Sequence, residues 1–214
     1  MDALPEKVRA FIALNLSAEV KDAVAGFISD LARLRSGVHW VPGANLHLTL
    51  RFLGAAVDST MLWPLDKALA QIAAESRPLG VRLHGTGAFP SLARPRVLWI
   101  GLSSEQLGPL AHKIEAAVVG GGFDRESRPY SPHLTIGRVR DPRGWPVVRH
   151  ALENAARREF GETRADSFVL YRSVLGSAAA RYRVLGRYEF CADDVSQAAR
   201  QASDRSDVGS FRRC

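Results

Sequence analysis

The feature that most constrains this 214-residue chain is a four-residue pattern that occurs twice. His-Leu-Thr-Leu begins at His47, and His-Leu-Thr-Ile begins at His133, 86 positions later. Each lies in a stretch of alternating apolar and polar residues, which predicts a β-strand. Ser17 precedes the first histidine by 30 residues, and Ser103 precedes the second by 30. These spacings predict a duplicated unit; the competing interpretation is a chance likeness between two α/β segments.

The predicted elements follow the same order in both halves of the chain. In the first half, a buried strand at 9–16 leads into an amphipathic helix that Ser17 caps, and the motif strand at 46–53 ends at Gly54. The other predicted elements are a turn at 40–43, helices at 59–75, 107–118 and 145–158, and strands at 79–89, 97–102, 133–139, 168–175 and 182–190. One such unit cannot bury both faces of its sheet, so the two halves are expected to pack together.

The composition excludes several classes of protein. Hydrophobic residues make up 46% of the chain and charged residues 24%, which is typical of a soluble globular protein. Cys191 and Cys214 are too few for a disulfide scaffold or a cysteine-based zinc module. The first residues do not resemble a signal peptide, and no apolar stretch is long enough to span a membrane. We therefore expect a cytoplasmic protein without a membrane partner.

The basic charge of the chain is almost entirely arginine. The formal net charge is +7, and arginine supplies 25 of the 29 basic residues. This permits a polyanionic partner, although codon bias explains the excess at least as well. The segment 193–214 is neutral and poor in apolar residues, so we expect a mobile tail there. Residues 1–192 are expected to form a single domain, and a monomer is expected because nothing in the sequence suggests an oligomer.

The spacing within each motif places two polar side chains on one face of its strand. His47 and Thr49 project from the same face because side chains alternate along a strand, and so do His133 and Thr135. If a pseudo-twofold axis relates the halves, the two pairs face each other across a cleft. One imidazole is then suited to act as a base on the attacking oxygen, while the other protonates the leaving oxygen at one phosphorus atom. The threonine hydroxyls can donate to the non-bridging phosphate oxygens. The alternative is two half-exposed strand histidines without a chemical role.

The two motifs resemble those of the two-histidine phosphoesterase superfamily, in which two His-x-Thr-x tetrapeptides lie in opposing lobes. The likeness extends to the RNA 2′,3′-cyclic phosphodiesterases, first described as 2′-5′ RNA ligases, and covers roughly residues 8–190. The stretches that carry it are RAFIAL at 9–14, WVPGANLHLTLRFLG at 40–54, GAFP at 87–90, RPRVLW at 94–99 and RPYSPHLTIGR at 128–138.

This resemblance implies an α+β, bilobal fold. Two pseudo-twofold-related α/β repeats, with mainly antiparallel sheets, would line a central cleft. The lobes would span roughly 8–90 and 96–190, with exchange of strands between them left open. The substrate would be RNA with a 2′,3′-cyclic phosphate end or a small cyclic nucleotide, and hydrolysis would leave a 2′-phosphomonoester. By the family's assignment, His47 would be the proton donor and His133 the proton acceptor. The family also joins RNA ends through a 2′-5′ linkage as a reverse reaction.

Two arginines are further candidates for substrate binding. Arg51 keeps phase with His47 and Thr49, so it is expected either to line the cleft or to be an ordinary solvated residue. Arg138 matches a family position that holds the phosphate, with a surface salt bridge as the alternative. It lies five residues after His133, so strict alternation directs it away from the site, and a bulge at Gly137 would redirect it.

Aromatic and basic residues complete the predicted site. Phe89 is the preferred platform on which a base would stack, and Tyr130 is a second aromatic residue expected near the cleft. The segment 94–96 is predicted to be a basic loop that follows an RNA backbone.

Neither a metal nor another cofactor is expected. No acidic residue or cysteine near the two motif histidines completes a ligand set, and no glycine-rich phosphate loop is present. Two other functions stay open. One is a phosphodiesterase acting on another cyclic or 2′-5′ nucleotide, and the other is a non-catalytic module that binds nucleotides or RNA.

Overall fold

The computed structural model describes residues 4–174, 176 and 180–191. The helices and strands of this part of the chain are β1 Lys7–Leu14, α1 Ala18–Ala32, β2 Val38–Trp40, β3 Leu48–Asp58, α2 Leu62–Ala74, β4 Leu79–Ser91, β5 Arg94–Ser103, α3 Leu107–Gly120, β6 His133–Val139, α4 Trp145–Asn154, β7 Glu159–Ala165, β8 Ser167–Val174 and β9 Arg181–Glu189. Short 3₁₀ turns lie at Gly43–Asn45 and Ser59–Met61. The predicted tail at 193–214, with Cys214, lies outside the described residues, whereas Cys191 is exposed and unpaired.

The strands form two antiparallel sheets. A four-stranded sheet has the order β3-β1-β8-β9, and a five-stranded sheet has the order β2-β6-β5-β4-β7. In both sheets the motif strand pairs with the strand that opens its half of the chain, so β3 lies beside β1 and β6 lies beside β5. The predicted α+β architecture with antiparallel sheets is confirmed.

The two sheets do not follow the division of the chain at residues 90–96. Strand β4, from the first half, belongs to the second sheet, and β8 and β9, from the end of the chain, complete the first. Each sheet therefore combines strands from both sides of that division. That residues 1–192 fold as a single domain, with lobes of roughly 8–90 and 96–190, stays a prediction.

The helices follow the apolar periodicity of the sequence. Ser17 caps α1, because its hydroxyl oxygen accepts a hydrogen bond from the Val20 N–H at 3.4 Å. The buried residues of α1 recur at helical spacing. Helix α3 ends at Gly120, the first of three consecutive glycines, and Gly122 has a positive φ of 87°. Tertiary burial of these apolar faces positions the helices on the sheets.

Several predicted boundaries are wrong. Strand β3 continues past Gly54 to Asp58 and pairs with β1 along its length. Strand β2, at the edge of the second sheet, and β7 were not predicted. The segment 94–96 is not a loop but the start of β5, where Arg94 pairs with Ser91 and Pro95 with Pro90 across a hairpin. The proline at position 95 is tolerated there because it lies at a strand end.

Candidate active site

The two motif strands contact each other although they belong to different sheets. Strand β3 lies beside β6, which brings the two His-x-Thr segments together. A hydrogen bond also joins the two halves, since the Tyr130 hydroxyl, just before β6, donates to the Thr49 carbonyl oxygen at 3.4 Å. We call the side of each sheet that carries the motif histidine and threonine its motif face. The fold therefore places both motif faces at one cleft.

Both imidazoles are held in the same way. The Nδ1 atom of His47 lies 2.7 Å from the Asn45 carbonyl oxygen, and Nδ1 of His133 lies 2.8 Å from the Ser131 carbonyl oxygen. Because a carbonyl oxygen only accepts hydrogen bonds, Nδ1 carries the proton in both rings. In each neutral ring, Nε2 is then the atom left to exchange a proton with a ligand.

Each imidazole also packs against an aromatic ring. The ring centroid of His47 lies 4.7 Å from that of Phe11 and 5.1 Å from that of Tyr182. The ring of His133 lies 5.0 Å from that of Phe89, nearly perpendicular to it. These contacts and the Nδ1 bonds restrict rotation of the imidazoles. The predicted position of Phe89 beside the motif is confirmed, while its role as a base platform stays a prediction.

Burial lowers the pKa of His47 below the ordinary value for histidine. Desolvation is the largest cause, and the nearby positive charge of Lys21 acts in the same direction, whereas the bond to Asn45 opposes it. Burial and the Lys21 charge thus favour the neutral imidazole. An anionic phosphate beside the ring would favour the protonated form instead, because opposite charges stabilise each other.

The residues between the motif polar groups are buried, as alternation predicted. Leu48, Leu134 and Ile136 have no exposed surface, and Leu50 is also buried. The threonines are half-buried on the opposite side. On β6, His133 pairs with Gly101 and Thr135 with Trp99, so the two side chains share one face of the sheet.

A break in strand register follows the threonine of each motif. On β6, Thr135 pairs with Trp99 but Gly137 pairs with Leu98, so Ile136 is the extra residue of a bulge. Arg138 then pairs with Val97, two residues from Trp99, and thereby returns to the motif face. The predicted redirection of Arg138 is confirmed, and its contact with phosphate stays a prediction.

The same kind of bulge moves Arg51 away from the motif face. On β3, Thr49 pairs with Ala13 and Arg51 with Ile12, so Leu50 is extra and the two polar residues lie on opposite faces. Only 9% of the Arg51 side chain is exposed. Its guanidinium makes a close ion pair with Glu115 of α3, lies 3.4 Å from Glu126, and donates to the carbonyl oxygens of residues 52 and 124. The expectation that Arg51 lines the cleft is wrong, because strict alternation overlooked the bulge.

Arg138 and Tyr130 differ in their exposure and in whether their polar groups already have a partner. Arg138 is exposed and makes no ion pair with any residue that the structure describes. Tyr130 is largely buried, which raises the pKa of its phenol well above the ordinary value. Its hydroxyl therefore stays protonated and is already used in the bond to Thr49. A direct contact of Tyr130 with substrate stays a prediction.

Reasoning from the sequence missed three residues on the motif face of the first sheet. Phe11 and Tyr182 contact the His47 ring, and Arg9 shares their face because it lies two residues before Phe11 on β1. The positive charges of Arg138 and Arg9 act on the Tyr182 phenol, whose pKa is raised chiefly by burial. Arg138 belongs to the second sheet and Tyr182 to the first. The period-two pattern of the predicted strand 9–16 contained the signal for Arg9 and Phe11.

Metal ligands do not cluster in the described part of the chain. No group of three or more His, Cys, Asp or Glu side chains there is arranged to hold a metal ion. None of the helices in that part is both long and apolar enough to cross a bilayer.

Two antiparallel sheets, each presenting a His-x-Thr strand to a common cleft, define the two-histidine phosphoesterase fold. Residues 20–176 match the model of the 2′-5′ RNA ligase superfamily, and the chain belongs to that family. An RNA 2′,3′-cyclic phosphodiesterase of Archaeoglobus fulgidus is 32% identical over 183 residues, covering 85% of this chain and 100% of the relative. One from Methanothermobacter thermautotrophicus is 32% identical over 177 residues, covering 82% and 95%.

Solved structures of similar proteins share the fold. The protein TT0787 of Thermus thermophilus matches with a TM-score of 0.71 at 29% identity, covering 85% of this chain and 97% of that one. E. coli LigT complexed with 3′-AMP matches with a TM-score of 0.65 at 26% identity, covering 86% and 99%. Each match spans nearly the whole length of the solved structure.

Proposed function

We propose that the protein hydrolyses the 2′,3′-cyclic phosphate at RNA ends to a 2′-phosphomonoester, by acid and base catalysis with two histidines and without a metal ion. The observation that carries this proposal is the matched anchoring of His47 and His133. Each Nδ1 is bound to a carbonyl oxygen, which leaves each Nε2 for the substrate. Relatives that cover most of the chain are RNA 2′,3′-cyclic phosphodiesterases, which supports the choice of substrate.

In the proposed reaction, a water oxygen attacks phosphorus as the bond between phosphorus and the 3′ oxygen breaks. His133 Nε2 accepts the proton of the water, and protonated His47 donates its Nε2 proton to the departing 3′ oxygen. The products are a 2′-phosphate and a 3′-hydroxyl, and the histidines return to their starting states by exchanging protons with solvent. Thr49 and Thr135 would donate to the non-bridging oxygens, and Arg138 would stabilise their negative charge.

Phosphate charge supports the donor role of His47 in this scheme. By itself, the lowered pKa of His47 favours the neutral ring. The cyclic phosphodiester is an anion, so binding it would raise the pKa of His47 and load the proton that the leaving oxygen needs. The reverse reaction would join RNA ends through a 2′-5′ linkage, but hydrolysis is expected to dominate in water. We also propose a monomer that acts in the cytoplasm.

The deciding experiment uses an RNA oligonucleotide that ends in a 2′,3′-cyclic phosphate. Wild-type protein should convert it to a 2′-phosphate with EDTA present, whereas His47→Ala and His133→Ala should be inactive. His150→Ala is the matched control, since His150 is exposed on α4 and this variant should keep full activity.

A 3′-phosphate product would mean that the 2′ oxygen is the leaving group, and it would overturn the assignment of His47 as the proton donor. If no product forms, small cyclic nucleotides and 2′-5′ linked dinucleotides become the next substrates to assay, and RNA binding without turnover would indicate the non-catalytic module.

A further inference from the structure

Two arginines lie on the motif faces of different sheets, and neither has a carboxylate partner among the described residues. Arg138 is exposed on β6, and Arg9 is half-buried on β1. Within the described residues, neither forms an ion pair with an aspartate or glutamate. Arg51 shows the contrasting behaviour, since its buried guanidinium is enclosed by acidic groups and carbonyl oxygens. A half-buried cation without such partners is suited to receive an anion from outside the chain.

The structure fixes the guanidinium of Arg9 on the motif face. Its central carbon lies 4.5 Å from the centroid of the Phe52 ring. Phe52 pairs with Phe11 across β1 and β3, and the Phe11 ring contacts His47. A guanidinium stacked on an aromatic ring keeps its N–H donors at the edge of its plane, where they remain available to an anion. Arg9 is thus held beside the ring that supports His47.

The two motif strands differ at the place where Arg9 stacks. Phe52 lies five residues after His47, and Arg138 lies five residues after His133. Because the bulge is common to both strands, the two residues occupy equivalent places on the motif faces. The first half therefore has a phenylalanine where the second has an arginine. By stacking on Phe52, Arg9 supplies from β1 a positive charge that the motif face of β3 lacks at this place.

Tyr182 links the two cations. Its ring contacts His47, with the centroids 5.1 Å apart. Both Arg138 and Arg9 are near enough to its phenol for their charges to favour the ionised form, against the larger effect of burial. Arg9 and Arg138 therefore both place positive charge near the side chain that contacts the His47 ring.

We propose that Arg9 binds phosphate oxygens of the substrate from the His47 side of the cleft, opposite Arg138. This inference rests on the proposed function for the nature of the substrate. A guanidinium presents two parallel N–H donors to two phosphate oxygens. The phosphate is either the cyclic phosphate itself or the phosphodiester that precedes it in a longer RNA, and the experiment below separates these two sources.

The test compares Arg9→Gln with Arg172→Gln. Arg172 is half-buried on β8, next to β1, but it pairs with Ala10 and so lies on the face away from the motif. Steady-state kinetics are measured with adenosine 2′,3′-cyclic phosphate and with an RNA oligonucleotide that has the same end. Loss of a charge-assisted hydrogen bond is expected to raise KM about 10- to 100-fold in Arg9→Gln, with a smaller change in kcat. Arg9→Lys should be intermediate, because it keeps the charge and loses the planar fork.

The two substrates identify the phosphate that Arg9 binds. A raised KM for the mononucleotide assigns Arg9 to the cyclic phosphate, and a raised KM for the oligonucleotide alone assigns it to the preceding phosphodiester. If KM is unchanged for both, or if Arg172→Gln raises it equally, the inference is overturned. A melting temperature close to wild type distinguishes lost binding from lost folding.

A second measurement separates this inference from the proposed function. Binding of adenosine 2′-monophosphate, and of an RNA oligonucleotide that ends in a 2′-phosphate, is measured by isothermal titration calorimetry, which does not depend on turnover. Should the wild-type protein hydrolyse neither substrate, the proposed function fails. The Arg9 assignment still stands if Arg9→Gln weakens binding of either ligand about 10-fold or more and Arg172→Gln does not. Equal binding of both ligands by wild type and Arg9→Gln contradicts it.

Discussion

The two motif strands carry the same tetrapeptide but differ in the residues around it. Both histidines are anchored through Nδ1 to the carbonyl oxygen two residues earlier. The residue five positions later is a phenylalanine on β3 and an arginine on β6. The comparison shows that the two strands anchor their imidazoles in the same way, whereas the groups that would bind substrate differ.

The two halves also differ at the position just after the bulge, where one has an arginine and the other a glycine. Arg51 on β3 corresponds to Gly137 on β6, and both lie just after the bulge. On β3 this position holds a buried ion pair with Glu115. On β6 it accommodates close packing, since a Cβ at Gly137 would lie 2.9 Å from atoms of both Trp40 and Val38. The same bulge therefore occurs in two different packing environments.

The largest expected effect comes from removing the feature that the halves share. His47→Ala and His133→Ala should each lower kcat by about 10²–10⁴-fold, as is typical of a general acid or base. The double variant should be hardly slower than the worse single variant, because an acid and a base that act in one step are not additive. Single-turnover rates on the cyclic-phosphate oligonucleotide measure this. If the double variant loses as much rate as the product of the two single losses, the two imidazoles act in separate steps.

The second-largest expected effect distinguishes the structural role of Arg51 from the substrate-binding role proposed for Arg138. Arg51→Met should lower the free energy of unfolding by roughly 2–4 kcal/mol, because it leaves the Glu115 carboxylate partly buried and unpaired. Arg138→Met should change it by less than about 0.5 kcal/mol, as an exposed substitution does, yet weaken substrate binding. Urea denaturation and KM measurements on both variants test this. Adding Glu115→Gln to Arg51→Met should recover part of the stability.

A smaller effect is expected at the position equivalent to Arg51. Gly137→Ala should destabilise the protein by about 1–3 kcal/mol, because the added methyl group overpacks against Trp40. Since Gly137 lies in the bulge, its displacement should also redirect Arg138 and raise KM. Gly26→Ala is a control for glycine replacement, as nothing lies within 4 Å of its added Cβ. Wild-type stability of Gly137→Ala would contradict the close packing.

The smallest expected effect is a shift in titration. The pKa of His47 is lowered in the free protein, chiefly by burial, so its NMR titration should fall below the ordinary value for histidine. For a proton donor, kcat/KM then declines as the pH rises through this lowered pKa. Saturation with adenosine 2′-monophosphate should raise the pKa, since the phosphate favours the imidazolium. If the pKa stays unchanged in the complex, phosphate does not lie beside His47.

Local pattern predicted most of the fold. The alternating and 3.6-residue periods predicted both motif strands and the four helices, because burial of one face imposes those periods. Strand β2 has only three residues and β7 has an irregular apolar pattern, so neither carried a usable signal. The segment 94–96 was assigned to a loop because of its proline and arginines, but the hairpin pairing with β4 makes it a strand.

The sequence alone determined which chemical groups the two motif strands carry, namely one imidazole and one hydroxyl each. Two His-x-Thr segments determined which side chains lie on the motif faces and which leucines are buried, since alternation along a strand is a local property. Only the tertiary structure decided which arginine faces the cleft. A bulge depends on pairing with another strand, and it moved Arg51 to the buried face while bringing Arg138 to the motif face. The stacking of Arg9 on Phe52 likewise required two strands to meet.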